Sequence, residues 1–235
     1  MASKNLEQRL EELEKKVDIL NETNKQQQRE IERLQAVTEI QNLKSKQQWL
    51  HMANRNNQIP ELFANKTPGV RVTFGSLGSY EGADSIKRAY SLIPSGNTGE
   101  LALHAITNAY IAVAADGKTA KGIWLGSGWV ANVDRKTGEP RCAWEYNKYG
   151  VDFIKENGQW KYWHLHIYDL VGPGWNEPWA AQFKKEKPSR PLPDELKPDR
   201  PPAADEYPGY TPMGKSSYTP LPPEPYETFD EKTAY

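Results

Sequence analysis

The stretch LALHAITNAYIAVAADGKTAKGIWLGSGWVANVD, residues 101–134, holds two β-rich runs on either side of Asp116-Gly117. Val, Ile, Thr, Tyr and Trp dominate both runs, and Asp-Gly supplies the positive φ that a tight hairpin needs. The same punctuation recurs downstream. Lys136-Thr137-Gly138 precedes the run CAWEYNKYGVDFIKE (142–156), and Asn157-Gly158 separates that run from QWKYWHLHIYDLV (159–171). Strands joined this way pair consecutively as antiparallel hairpins. Working outward, GVRVTFGSLGSY (69–80) is strand-like, and GADSIKRAYSLI (82–93) reads as a short helix with Asp84 near its unpaired first amides. Helices first and then a meander predict an α+β domain, with helices packed on one face of a curved antiparallel sheet.

The flanks differ in kind. Leu6, Leu10, Leu13, Val17, Leu20, Ile31 and Leu34 follow the alternating step of a heptad, with polar Asn24 and Gln27 in the middle of the seam. This predicts an N-terminal coiled-coil helix over 1–36, the alternative being a solvated helix lying on its own domain. After Leu34 the stripe broadens to Val37, Ile40, Leu43, Trp49 and Leu50, as in a helix turning its face onto a core. The globular domain is expected over 37–186. From 187 to 235 lie twelve of the eighteen prolines, interleaved with Tyr207, Tyr210, Tyr218, Tyr226, Phe229 and Tyr235. Such density disfavours helix and sheet and predicts an extended tail whose rings dock on the body or on a neighbouring subunit. Disorder and a peptide ligand for an aromatic-grooved domain are the alternatives.

The bulk numbers narrow the partners. Over 235 residues the formal net charge is -1 with 26% charged residues, so no basic excess exists to neutralise phosphates, and nucleic acid is not expected. No run approaches the roughly 18 apolar residues of a membrane span, and the N-terminus lacks an apolar leader core. The single cysteine, Cys142, excludes an internal disulfide and fits a reducing cytoplasm. Seam residues and a last strand apolar on both faces predict a homo-oligomer.

Four histidines carry the candidate chemistry. Strand alternation places Trp160, Tyr162, His164, His166 and Tyr168 on one face and Lys161, Trp163, Leu165, Ile167 and Asp169 on the other, with helices covering one face and another subunit the second. His164 and His166 raise a metal reading, but no third ligand stands at metal spacing and no metal is expected. His104 enters a sheet from the loop PSGNTGE (94–100); on spacing alone it reads as a satisfied buried histidine rather than a proton carrier. No GxSxG elbow, phosphate loop or dinucleotide fingerprint is present, and GSLGSYEG (75–82) lacks the strand-to-helix spacing, so no cofactor is expected.

Taken together, EIQNLKSKQQWLHMAN (39–54), ELFANKTPGVRVTFGSLGSYEGADSIKRAY (61–90), LHAITNAYIAVAADGKTAKGIWLGSGW (103–129) and GVDFIKENGQWKYWHLHIY (150–168) resemble the SnoaL-like branch of the nuclear transport factor 2 superfamily. Within it the sequence looks closest to the scytalone dehydratase and bile acid dehydratase group. The resemblance implies a cone-shaped fold, a cofactor-free lyase and a homotrimer in preference to a dimer. The family histidine at the start of the third strand matches His104, which implies a catalytic role for it. The Tyr and Asp that the family places on its first helix are missing: Gln47, Gln48, Trp49, Leu50, His51 and Met52 stand there. His51 becomes the candidate replacement, with Asn54 beside it. Tyr80, Tyr149 and His164 lie on elements that line the pocket in relatives.

The expectation is therefore a lyase with His104 as base and His51, Tyr149 or His164 as acid or steering group. Tyr80, Trp124, Trp129, Trp144, Tyr162 and Asn54 would contact a flat, hydroxylated aromatic or polycyclic substrate. Loss of water and loss of formaldehyde from a lignin-type diaryl compound both fit. An isomerase or cyclase, and a non-catalytic binding or assembly module, are the alternatives the fold allows.

Overall fold

The structure is a computed structural model and describes residues 2–75, 77–93, 96–134, 136–178, 192–202, 210, 212–213, 215 and 219–235. Helix α1 (Ala2–Met52) runs unbroken for 51 residues, about 76 Å at 1.5 Å per residue. Its first two thirds stand in solvent, with Leu6 73% and Leu34 62% exposed. Contact with the domain begins at Ala36, and Ile40, Lys44, Gln47 and Gln48 are buried. These positions recur every three to four residues, so they form one stripe. Trp49 falls off that stripe and is exposed, contrary to the expectation that it packs inward.

A one-turn-plus 3₁₀ helix (Asn56–Leu62) leads to β1 (Arg71–Phe74), β2 (Gly78–Glu81) and α2 (Ala83–Ser91). Four long strands follow: β3 (Leu101–Val113), β4 (Thr119–Val133), β5 (Pro140–Glu156) and β6 (Gln159–Val171). The sheet order is β2-β1-β6-β5-β4-β3. The three long hairpins are antiparallel as expected, and Asn157 and Gly158 both have positive φ in the two-residue turn between β5 and β6. The sheet is mixed rather than wholly antiparallel, because β1 pairs parallel with β6. No turn joins those two strands, so no local signal fixed their direction.

A bulge in β6 decides which way the chemistry points. In β6, Tyr162 pairs with Phe153 and His164 with Asp152, leaving Trp163 as an extra residue. One inserted residue inverts the alternation. Trp160 and Tyr162 therefore face the helices, as do Leu165, Ile167 and Asp169, while His164, His166 and Tyr168 face away. The single-face reading of Trp160 through Tyr168 is thus corrected. A second bulge in β3, between Thr107 and Tyr110, contains Asn108 at φ 53°.

The core lies between the inner face of the sheet and α1, α2 and the 3₁₀ segment. Ile40, Ile59, Ile86, Val72, Val151, Phe153, Tyr162 and Leu165 are fully buried there, each aliphatic contributing about 1.5–3 kcal/mol of transfer free energy. On the outer face, described parts of the C-terminal segment cover β1, β6, β5 and β4. The boundary expected at 186/187, and Tyr207 and Tyr218, lie outside the described residues. Among those described, no helix is long and apolar enough to cross a membrane.

Candidate active site

A cavity of about 400 Å³ opens between α1, α2 and the inner face of the sheet. Three glycines of β4 lie on this face: Gly126 and Gly128 shape the cavity wall, and Gly122 lies beside Trp124 in the core. A Cβ on Gly122 would lie 2.5 Å from the Trp124 ring, and one on Gly126 would lie 2.6 Å from Tyr149 Cε2. A Cβ on Gly128 would overlap His104 Cδ2. Each glycine lets a neighbouring ring lie flat against the strand. The imidazole of His104 occupies its place only because residue 128 has no side chain.

His104 is buried at the cavity wall, and His51 reaches it from the last turn of α1. The rings stack with centroids 4.9 Å apart, and His51 Nε2 lies 2.9 Å from His104 Nδ1. His51 Nδ1 lies 2.8 Å from Asn56 Oδ1. An amide oxygen only accepts, so His51 Nδ1 donates, its Nε2 accepts from His104 Nδ1–H, and His104 Nε2 is left with the lone pair. Glu145 Oε2 lies 3.0 Å from His104 Nε2, at ion-pair distance but without the alignment of a hydrogen bond. A proton arriving at Nε2 would therefore be held between imidazole and carboxylate.

Burial holds the His51 imidazole below its usual pKa; the hydrogen bond to Asn56 and the charge of Glu145 oppose this, and His104 and Lys44 add to it. Behind these groups sits Lys44, fully buried on the same stripe of α1. Its Nζ donates to Gln47 Oε1 at 2.7 Å and lies 3.7 Å above the Tyr149 ring. Burial lowers its pKa to about 7. Tyr149 and Tyr90 also line the cavity, and burial raises both phenols, which stay protonated across the physiological range. Among the described residues no cluster of three or more His, Cys, Asp or Glu side chains is arranged to hold a metal.

Of the residues expected at the site, His104, His51, Tyr149 and Asn54 meet around the cavity. The others do not. Tyr80 is buried on β2 under Arg88, its hydroxyl donating to Leu196 O at 3.0 Å. Trp124 packs edge-on against Phe153, and Tyr162 lies in the core with its hydroxyl 3.4 Å from Gln47 Oε1. Trp129 and Trp144 pair across β4 and β5 on the outer face, where Trp144 stacks on Trp175 at 4.6 Å. His164, turned outward by the bulge, bonds Asp152 Oδ2 at 2.8 Å.

That outer histidine belongs to a separate network. Lys121 Nζ donates to Asp152 Oδ1 and to Thr233 O, both at 2.7 Å. Tyr235 N donates to Asp152 Oδ2 at 2.9 Å, and Arg71 Nη2 donates to Tyr235 O at 3.0 Å. Phe229 lies against Trp163 and His164.

The SnoaL-like domain model matches residues 32–166, more than half of the chain. The chain belongs to the SnoaL-like domain family. Solved structures place this SnoaL-like protein in the same fold as a scytalone dehydratase-like protein from Novosphingobium aromaticivorans, at TM-score 0.52 and 17% identity over 63% of this chain and 92% of that one. A hexachlorocyclohexane dehydrochlorinase, LinA type 2, matches at TM-score 0.51 and 16% identity over 63% and 95%. A dehydratase-like member of the NTF2-like family from Streptomyces avermitilis matches at TM-score 0.50 and 13% identity over 59% and 98%. At such identities the likeness is one of fold. Comparison with curated proteins gives no match.

Glu145, Lys44, Gln47, Gln48, Tyr90 and Asp169 were not anticipated at the site. For the helix residues a signal existed: Ile40, Lys44, Gln47 and His51 share one helical stripe. For Glu145 it lay in register, since Glu145 pairs with Gly128, which pairs with His104.

Proposed function

We propose that the cavity is the active site of a cofactor-independent lyase that acts on a hydroxylated aromatic or polycyclic compound by histidine-mediated elimination. The observation that carries this reading is the anchored pair of imidazoles, their facing nitrogens 2.9 Å apart, on the wall of a largely apolar hollow. His104 Nε2 takes a proton from an acidic C–H or phenolic O–H, and Glu145 stabilises the imidazolium. The freed electron pair forms the new double bond, or a quinone methide in a phenol, as the C–O bond breaks. Tyr149, protonated at working pH, hydrogen-bonds the departing oxygen, which leaves as water with the proton returned from His104. His51, fixed by Asn56, holds the working tautomer of His104 and is a positioning residue. Where a hydroxymethyl group flanks the quinone methide, removing its O–H proton lets it depart as formaldehyde. The carbon–carbon electron pair forms the side-chain double bond as the ring returns to a phenolate, which takes up the proton removed from the hydroxymethyl group.

A mass-detected screen of phenolic and hydroxylated ring compounds tests this. Products lighter by water, or by water and formaldehyde together, support the lyase, a product of unchanged mass marks an isomerase or cyclase, and retention without conversion marks a binding module.

The assembly is proposed to be a homotrimer joined in part through α1, with the cytoplasm as its setting. Seven seam side chains, Leu6 to Leu34, are about half exposed or more on a helix projecting from the domain, which a second and third copy would cover. Sedimentation at micromolar concentration is expected to give the mass of a trimer, and a monomer would remove the proposal.

A further inference from the structure

Lys44 is a buried titratable group to which the elimination gives no part. It sits on the inward stripe of α1, and its Nζ has two contacts: it donates to Gln47 Oε1 at 2.7 Å and stands 3.7 Å from the centre of the Tyr149 ring. Taking an ammonium out of water is costly and is ordinarily offset by a buried carboxylate. A second buried lysine, Lys121, follows that rule, with Asp152 Oδ1 at 2.7 Å. Lys44 does not. Among the described residues no carboxylate pairs with it, and burial alone lowers its pKa to about 7. An apolar chain of similar length would serve the fold as well, so the amine needs another account.

The ring beside it supplies one. Tyr149 rises from β5, and its hydroxyl lies against Gly126 of β4, where a Cβ would come within 3.2 Å of the oxygen. Two residues further along β4, about 7 Å at roughly 3.4 Å per residue, Gly128 makes the same room for the His104 imidazole. The hydroxyl that meets the departing oxygen and the base that takes the proton therefore stand side by side on the cavity wall, and Lys44 is seated on the ring of the first.

A cation on the face of an aromatic ring is attracted to its electron density, and the attraction grows as the ring gains negative charge. Charge builds on the phenol as Tyr149 O–H leans towards a departing oxygen, so an ammonium on the ring face favours that state over the resting one. A neutral amine at the same point does not. The titratable groups that face this pair are His51 on α1, His104 on β3, Glu145 on β5, Tyr162 and Asp169 on β6 and Tyr90 on α2. Burial keeps Tyr90, Tyr149 and Tyr162 protonated beyond pH 10 and holds His51 below its usual value, so none of these four changes charge just above neutrality.

We propose that Lys44 is a positioning residue that acts through Tyr149: its ammonium, fastened by Gln47 to the face of the phenol ring, strengthens the hydrogen bond that the phenol donates to the departing oxygen, and loss of the ammonium proton switches the site down. This rests on the lyase reading of the cavity, but the first test needs no substrate.

With Tyr149 of the full-length chain replaced by 3-fluorotyrosine, a fluorine nucleus stands beside the hydroxyl and its resonance is followed from about pH 6 to about pH 9. One step with a midpoint near 7 is expected, and it is expected to vanish in Lys44→Met. In the chain with its natural Tyr149, the carbon-13 resonance of Lys44 Cε, assigned by its absence from Lys44→Met, is expected to titrate at the same midpoint. An unmoved fluorine resonance, the same step in Lys44→Met, or a Lys44 carbon titrating at the ordinary value near 10.4 would each overturn the inference. With any compound that the mass-detected screen finds converted, kcat is expected to fall about tenfold between about pH 6.5 and about pH 8.5. Lys44→Met is expected to be low and flat over that range with KM within about threefold, and to have no further effect in a Tyr149→Phe background. A Lys44→Met protein with an unchanged profile would overturn the inference and leave the lyase reading in place. Unchanged turnover in His104→Ala would instead count against the lyase reading, whatever the fluorine shows.

Discussion

The two faces of one sheet each present a histidine beside a carboxylate, and they are built for opposite ends. On the inner face His104 meets Glu145 and His51 at the edge of an open hollow, with Nε2 3.0 Å from Glu145 Oε2. On the outer face His164 meets Asp152, which is also bound by Lys121 and by the backbone of Tyr235, under the ring of Phe229. The inner pair has room for a reacting group; the outer one is roofed by the chain's own C-terminal segment. A His–carboxylate contact therefore has no fixed meaning. What lies on the far side of the imidazole decides whether it holds a fold together or moves a proton.

This contrast can be broken from either side. The largest effect is expected at Asp152→Ala, which leaves Lys121 buried without its counter-ion and is expected to cost about 3–5 kcal/mol in a denaturant titration. A loss below about 1 kcal/mol would mean that the outer network is not structural. On the inner face, Gly128→Ala forces a methyl into the His104 imidazole. Turnover is expected to fall by about a hundredfold while the far-ultraviolet spectrum is kept, since misplacement of a catalytic group by about 1 Å costs that much. Full activity would show that the ring position does not matter.

Deleting residues 226–235 uncovers the outer face and removes the contacts of Thr233 and Tyr235, so the melting temperature is expected to fall by several degrees, about 2 kcal/mol, with kcat/KM of the folded fraction kept within about threefold. Gly150, where a Cβ would come within 2.7 Å of the Tyr235 ring, gives a milder version of the same lesion. The pH dependence belongs to the inner face. His51 is held neutral by burial, so its contribution to stability is fully present above the unfolded value near 6.5 and is lost as pH falls through its depressed folded pKa. The acid limb of kcat/KM is expected below 6.5 for the same reason, and His51→Asn is expected to shift it. The smallest change is expected at Lys44→Met: the buried amine, already lowered to about 7, is replaced by an apolar chain of similar length, with a stability change under about 1.5 kcal/mol.

Much of this was legible in the sequence because it is local. Asp116-Gly117 and Asn157-Gly158 set hairpins through their own backbone preferences, and the hydrophobic stripe of α1 names its buried side. The parallel pairing of β1 with β6 joins segments about ninety residues apart, and no turn residue encodes it. The bulge at Trp163 was equally hidden, since an aromatic fits either face and the extra residue shows only against its partner strand. That one residue carried His164 away from the site. Trp129 and Trp144 went astray by a different route: a two-sided aromatic strand gives no sign of which face holds the cavity. His104 and His51 were reached through resemblance, whereas Glu145 and Lys44 needed register and helical phase followed one step further.

The most direct test pairs one substitution from each face. Turnover of a responsive phenolic substrate, followed by product mass, would be measured for His104→Ala and His164→Ala, each corrected for its folded fraction. The account predicts a loss of about a hundredfold or more for His104→Ala and less than about threefold for His164→Ala. Equal losses, or activity surviving in His104→Ala, would contradict it.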